Sequence, residues 1–196
     1  MSHPALSTYR FAEGTCIAQA TPPEAARVSL DSPATAVMTD LVNVRAACIG
    51  PQASLDAAEQ RMRESGVRML FVISDMPCVD GIVTLSDLQG SKPIRLIQAQ
   101  GLTRAELTVK QVMQALGDID AVDFEALGRA TVGSVVAALQ HYGHAYLLAV
   151  EAATRGAPPR IRGIFSAAQV ERQLGAPLNS VEVAATFAEI ATALRG

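Results

Sequence analysis

Two stretches of this chain superpose without a gap at an offset of 77 residues, and that duplication restricts the fold more than any other feature. The first, Ser54 to Gly66 (SLDAAEQRMRESG), places Leu55, Ala58 and Met62 on one helical face, with Ser54 at the N-cap and Gly66 just past the end. The second, Thr131 to Gly143 (TVGSVVAALQHYG), places Val132, Val135 and Leu139 on the same face between Thr131 and Gly143. After each helix comes an unbroken apolar run, Met69 to Ile73 and Tyr146 to Val150, which reads as a strand buried on both faces. A turn follows in each copy, Ser74 to Asp80 and the longer Glu151 to Arg160. Then come Gly81-Ile82-Val83-Thr84 and Gly163-Ile164-Phe165-Ser166, each a short strand running into a helix. Upstream, Ala36-Val37-Met38 matches Gln111-Val112-Met113. The order β-α-β-β-α is therefore written twice.

The remaining segments are arm and linker. We divide the chain into an N-terminal arm (1–35), a first repeat (36–90), a linker helix (91–106), a second repeat (107–175) and a C-terminal helix (176–196). In the arm, Arg27-Val28-Ser29-Leu30 is a candidate strand. In the linker, Pro93 and Gly101 bracket a short apolar helix carrying Ile94, Leu96 and Ile97. In the tail, Asn179 and Glu182 stand at capping-box spacing, ahead of an apolar face of Val183, Phe187, Ile190 and Leu194.

Composition narrows the function classes. Sixteen basic against 19 acidic residues give a net charge of −3, which offers no basic stripe for nucleic acid. No apolar run reaches the roughly 18 residues of a membrane helix, and the first residues show no signal-peptide pattern. Cys16, Cys48 and Cys78 lie far apart without metal-ligand spacing, which suits a reducing compartment. The expectation is a cytoplasmic protein without membrane or nucleic-acid partners. Catalytic readings are thin: His141 and His144 stand at i, i+3 with no third ligand following, Cys78 has no partnering His in sequence, and no Gly-rich phosphate motif is present. No metal, catalytic residue or required cofactor is expected.

Two β-α-β-β-α copies, with Val-Met-Thr in front and Gly-Ile-Val-Thr-x-x-Asp at the end of the first, resemble a pair of CBS domains, the Bateman module. The first copy, from Ala36-Val37-Met38-Thr39 to Gly81 through Asp87, follows the pattern closely and has the Gly66-Val67-Arg68 entry to its second strand. The second copy keeps Val112-Met113 and Gly163 to Ser166 but ends in Gln169 where the pattern has Asp. The resemblance implies an α/β (α+β) fold in which two β-α-β-β-α repeats pack about a pseudo-two-fold axis and leave two clefts between them. It further implies a regulatory, non-enzymatic module that binds an adenine nucleotide (AMP, ADP or ATP), forms a homodimer and modulates a protein target.

By that resemblance, Thr84 and Asp87 bind the ribose, Ala47, Met69 and Leu70 hold the base, and Arg68 reaches the phosphates. Ser166, Gln169, His144 and Arg162, with Arg160, form a weaker second site. A carboxylate three residues after a strand-ending hydroxyl suits a sugar diol, since both hydroxyls can donate to it. The same Thr-x-x-Asp spacing is that of a capping box, which needs no ligand. Resemblance favours the ribose role for Thr84 and Asp87, and leaves capping ahead for Ser166 and Gln169. The base-contacting residues read equally as core, and each cation singly as a surface residue. An alternative is a structural interaction module whose nucleotide site is vestigial, with Gln169 as its mark.

Overall fold

Ser54 and Thr131 each accept a hydrogen bond from a backbone N–H of the helix they precede, Ala57 at 3.2 Å and Ser134 at 3.4 Å, supplying an acceptor to otherwise unpaired first-turn amides. At the far ends Gly66 and Gly143 adopt left-handed φ values of +64° and +65°, a conformation that favours glycine. The computed structural model describes Thr8, Arg10 and residues 27–153 and 158–180. Its elements, in order, are β1 (Thr39–Asp40), β2 (Cys48–Ile49), α1 (Leu55–Ser65), β3 (Met69–Val72), β4 (Gly81–Thr84), α2 (Leu85–Gln89), α3 (Ser91–Gln100), α4 (Val109–Val112), β5 (Gln114–Ala115), β6 (Ala121–Asp123), α5 (Val132–Tyr142), β7 (Tyr146–Glu151), β8 (Arg160–Ser166) and α6 (Ala167–Leu174). The unit β-α-β-β-α thus occurs twice, as β2-α1-β3-β4-α2 and β6-α5-β7-β8-α6. The linker helix is α3, closed by Gly101.

Two four-stranded sheets form, in the orders β2-β3-β4-β5 and β1-β8-β7-β6. Within each, the first two strands of the repeat run parallel (β2 with β3, β6 with β7), and the other pairings are antiparallel. The outer strands are exchanged. β1, which leads into the first repeat, pairs with β8 of the second, while β5, which leads into the second, pairs with β4 of the first. The turns before them cross over too. A 3-10 turn at Ala34–Val37 buries Ala34 and Val37 among Val132, Val136 and Leu139 of the second repeat. In the same way α4 buries Val109 and Val112 among Leu55, Ala58 and Leu88 of the first. The backbone bonds Ala34 N–H to Ala130 O and Val109 N–H to Ala53 O, both 2.9 Å, are the same contact made twice. Seven residues separate β1 from β2 (41–47), enough at roughly 3.3 Å each to cross between sheets.

Three apolar cores result. One lies under each sheet against its helices, and a third lies between the sheets, where Met69, Phe71, Ile82 and Leu148 meet. Strand alternation divides the labour: in β3, Met69 and Phe71 face the other repeat while Leu70 and Val72 face α1 and α2. Each fully buried Leu or Val contributes roughly 1.5–3 kcal/mol. Branched aliphatic side chains make up most of these thin layers, and among the described residues Phe165 is the bulkiest side chain fully enclosed.

One expectation is corrected and another is not reached. Arg27 to Leu30 is not a strand: Val28 N–H donates to Gln173 O at 3.2 Å and Leu30 begins a turn whose carbonyl accepts from Gly133 N–H at 2.8 Å, so the segment is held as an irregular clasp on the second repeat. The tail helix expected around Glu182, Val183, Phe187, Ile190 and Leu194 lies outside the described residues.

Candidate functional site

Because β1 belongs to the sheet of the second repeat, the cleft beside it is walled by both repeats. A cavity of about 460 Å³ lies there. The first repeat contributes Val44 to Ala47 ahead of β2, and Gly66 to Met69 with Phe71 around β3. The second contributes Tyr146, Ile164, Ser166 and, from α6, Ala168, Gln169 and Arg172, while β1 and the residue after it supply Thr39 and Leu41. Apolar strand side chains form its walls. Three arginines, Arg45, Arg68 and Arg172, are exposed and line it, and among the described residues no carboxylate does. The Thr39 hydroxyl donates to the Gln169 side-chain oxygen at 3.2 Å. Burial raises the Tyr146 phenol above its ordinary value of 10.0, an effect Arg68 partly offsets.

Strand register identifies the pseudo-symmetric cleft residue by residue. Cys48 pairs with Phe71 as Ala121 pairs with Leu148, and Met69 pairs with Thr84 as Tyr146 pairs with Ser166. Thr84 and Asp87 therefore stand where Ser166 and Gln169 stand, and Gln114 stands where Thr39 does. There Asp87 is engaged within the protein: it accepts from the Thr84 N–H at 2.8 Å, the Thr84 hydroxyl at 2.7 Å and the Gln114 amide at 3.2 Å. Asp87 N–H donates to Thr84 Oγ1 at 3.2 Å, which completes a capping box at the start of α2.

The sequence-derived residues are thus regrouped. Ala47, Arg68 and Met69 share a cleft with Ser166 and Gln169 rather than with Thr84 and Asp87. Leu70 is fully buried on the opposite face of β3 and does not reach it. The capping reading also changes places: Thr84 and Asp87 form the box, whereas Ser166 makes no side-chain cap and Gln169 turns to Thr39. Arg162 is spent on an ion pair with Asp40 and lies over the Phe124 ring, 4.9 Å from its centroid. His144 pairs with Asp120 at 3.3 Å, and Arg160 with Glu151 at 2.6 Å. Thr39, Arg45, Tyr146 and Arg172 were not singled out as ligand groups. Arg172 carried a readable signal, one helical turn beyond Gln169 on the same face. Among the described residues no cluster of three His, Cys, Asp or Glu could hold a metal, and no helix is long and apolar enough to cross a membrane.

No family model matches the chain, and no curated protein matches its sequence. Solved structures match its fold. CBSX2, a CBS-pair protein from Arabidopsis thaliana, superposes in its complex with AMP at a TM-score of 0.51 and 20% identity, covering 72% of this chain and 94% of that one. An uncharacterized conserved protein from Pyrococcus horikoshii gives 0.51 at 22% identity, covering 73% of this chain and 92% of its own. At these identities the likeness is one of fold.

Proposed function

We propose that this chain, whose fold is that of a tandem CBS-domain pair, is a regulatory module that binds an adenine nucleotide between its repeats and passes the binding event to a protein target. The observation that carries this reading is the cavity of about 460 Å³ shared by both repeats, apolar along its strands and bordered, among the described residues, by three arginines without a carboxylate. Its size falls within the roughly 300–1,000 Å³ of small-molecule sites. The small side chains of Ala46 and Ala47 leave room for a flat ring, to which the flexible Met69 can adapt. Thr39, Ser166 and Gln169 offer hydrogen bonds to sugar hydroxyls, and a guanidinium grips phosphate oxygens in pairs. AMP in the structure of CBSX2 supports the choice of ligand class.

A ligand touching both walls would tie the repeats together. Binding to the native state alone stabilises it by about 2.7 kcal/mol at a hundredfold excess over Kd. A target that senses the closed pair is then regulated by the differential affinity of the ligand for the two arrangements. In this reading the module works in the cytoplasm as a homodimer and catalyses no reaction. Calorimetry with AMP, ADP and ATP tests it: binding of at least one, weakened roughly tenfold by Arg68→Ala, is expected. No heat from any of the three at millimolar concentration would overturn it.

One observation favours a second reading. Gln169 stands where the resemblance puts a sugar-binding acid, and a carboxamide cannot make the charge-assisted pair with a diol. A structural interaction module with a vestigial site would show no thermal shift with any nucleotide, yet keep its self-association by light scattering.

A further inference from the structure

The two clefts have opposite charge. Strand register sets Arg68 of the first cleft against Ala145 of the second; the segment ahead of β2 that carries Arg45 is two residues longer than its counterpart ahead of β6, which carries Asp118, and α2 ends at Gln89, short of the turn that carries Arg172 on α6. Ala47 and Gln169 correspond to Asp120 and Asp87. Among the described residues three cations and no acid line the first cleft, whereas Asp87, Asp118 and Asp120 lie at the second, where His144 already pairs with Asp120. The three arginines are also unspent. Arg63, Arg104, Arg160 and Arg162 each sit in an ion pair, whereas Arg45, Arg68 and Arg172 have none among the described residues.

We infer that the ligand is a nucleoside polyphosphate, carrying two or three phosphates, bound once per chain in the cleft of Arg45, Arg68 and Arg172. The inference rests on the nucleotide reading above and deepens it. A monophosphate carries roughly −1.5 to −2 charges and leaves at least one of three arginines uncompensated. A di- or triphosphate matches all three, and its chain of phosphates can extend along a mouth whose cations come from three separate places: the segment ahead of β2, the entry to β3, and α6. Screening over about 8 Å at physiological salt keeps each cleft's field local, so the acidic cleft repels the same anion that the basic one attracts. An occupied first cleft would bridge the two repeats through charge as well as shape.

The test is magnesium-free calorimetry on the whole protein with adenosine, AMP, ADP and ATP, at two salt concentrations. One site per chain is expected, with affinity rising roughly tenfold per added phosphate and falling with salt. Arg172→Ala and Arg45→Ala, both at exposed positions, should each flatten the rise toward ATP while melting temperatures without ligand stay unchanged. ATP binding no tighter than AMP, or two equivalent sites per chain, would overturn this inference and leave the nucleotide reading standing. Failure of all four compounds to bind would remove both.

Discussion

The Thr39 hydroxyl donates to the Gln169 side chain at 3.2 Å across 130 residues of sequence, joining the strand that leads into the first repeat to the last helix of the second. Its pseudo-symmetric counterpart is the Gln114 amide on the Asp87 carboxylate, at 3.2 and 3.3 Å. The same geometry is thus built with a neutral acceptor in one cleft and a charged one in the other. Where the acceptor is charged, the protein's own donors surround it; where it is neutral, Gln169 accepts from Thr39 at the edge of a cavity.

Asp87→Ala removes a capping box and the Gln114 contact together. It should cost about 1–2 kcal/mol in urea unfolding while leaving nucleotide affinity within about twofold, since Asp87 does not line the arginine-bearing cleft. A mutant with wild-type stability and lost binding would return Thr84 and Asp87 to the ligand site.

Gly81 and Gly163 occupy equivalent positions where the exchanged strands cross, and neither has room for a side chain. A Cβ at Gly81 would collide with the backbone carbonyl of Gln114, which β5 cannot move without breaking its pairing; at Gly163 it would meet the flexible side chain of Met38. Gly81→Ala should therefore destabilise by about 3 kcal/mol and Gly163→Ala by about 1 kcal/mol, read as a shift in urea midpoint at constant slope. Equal effects would mean that the two crossings are not held as described.

The doubled β-α-β-β-α order was readable because each element carries local chemistry: a hydroxyl cap at Ser54 and Thr131, a glycine at the helix end, an apolar run bounded by turns. The exchange of the leading segments was not. Ala36 to Met38 and Gln111 to Met113 have nearly the same short apolar pattern, and the two cores that receive them are lined alike, so local periodicity does not say which takes which. That ambiguity explains the regrouped site. Thr84 and Asp87 lie in the same repeat as Ala47 and Arg68, yet the fold sends the end of each repeat toward the entrance of the other. The placement of Leu70 away from the cavity was hidden for a simpler reason: an unbroken apolar run conceals which alternate residues face which side.

Tyr146 offers a spectroscopic view of the cleft. Burial raises its phenol above 10.0 and Arg68 pulls it partly back. With the folded value above the unfolded one, this contribution to stability is fully present below pH 10.0 and is lost as pH rises through the folded value. Tyr146→Phe should remove that alkaline loss. In a phenolate absorbance titration, Arg68→Ala should move the ionisation that Tyr146→Phe removes to still higher pH; an unmoved titration would place Arg68 away from Tyr146.

In the proposed function, nucleotide occupies the cleft lined by Arg68 and Gln169. Photolabelling with an azido-adenine nucleotide, followed by peptide mapping, reads that assignment directly. Label on peptides spanning 39–47, 66–71 or 164–172, competed by unmodified ATP, is the predicted result. Competable label confined to 114–121 and 143–145, beside Asp87 and Asp120, would contradict it.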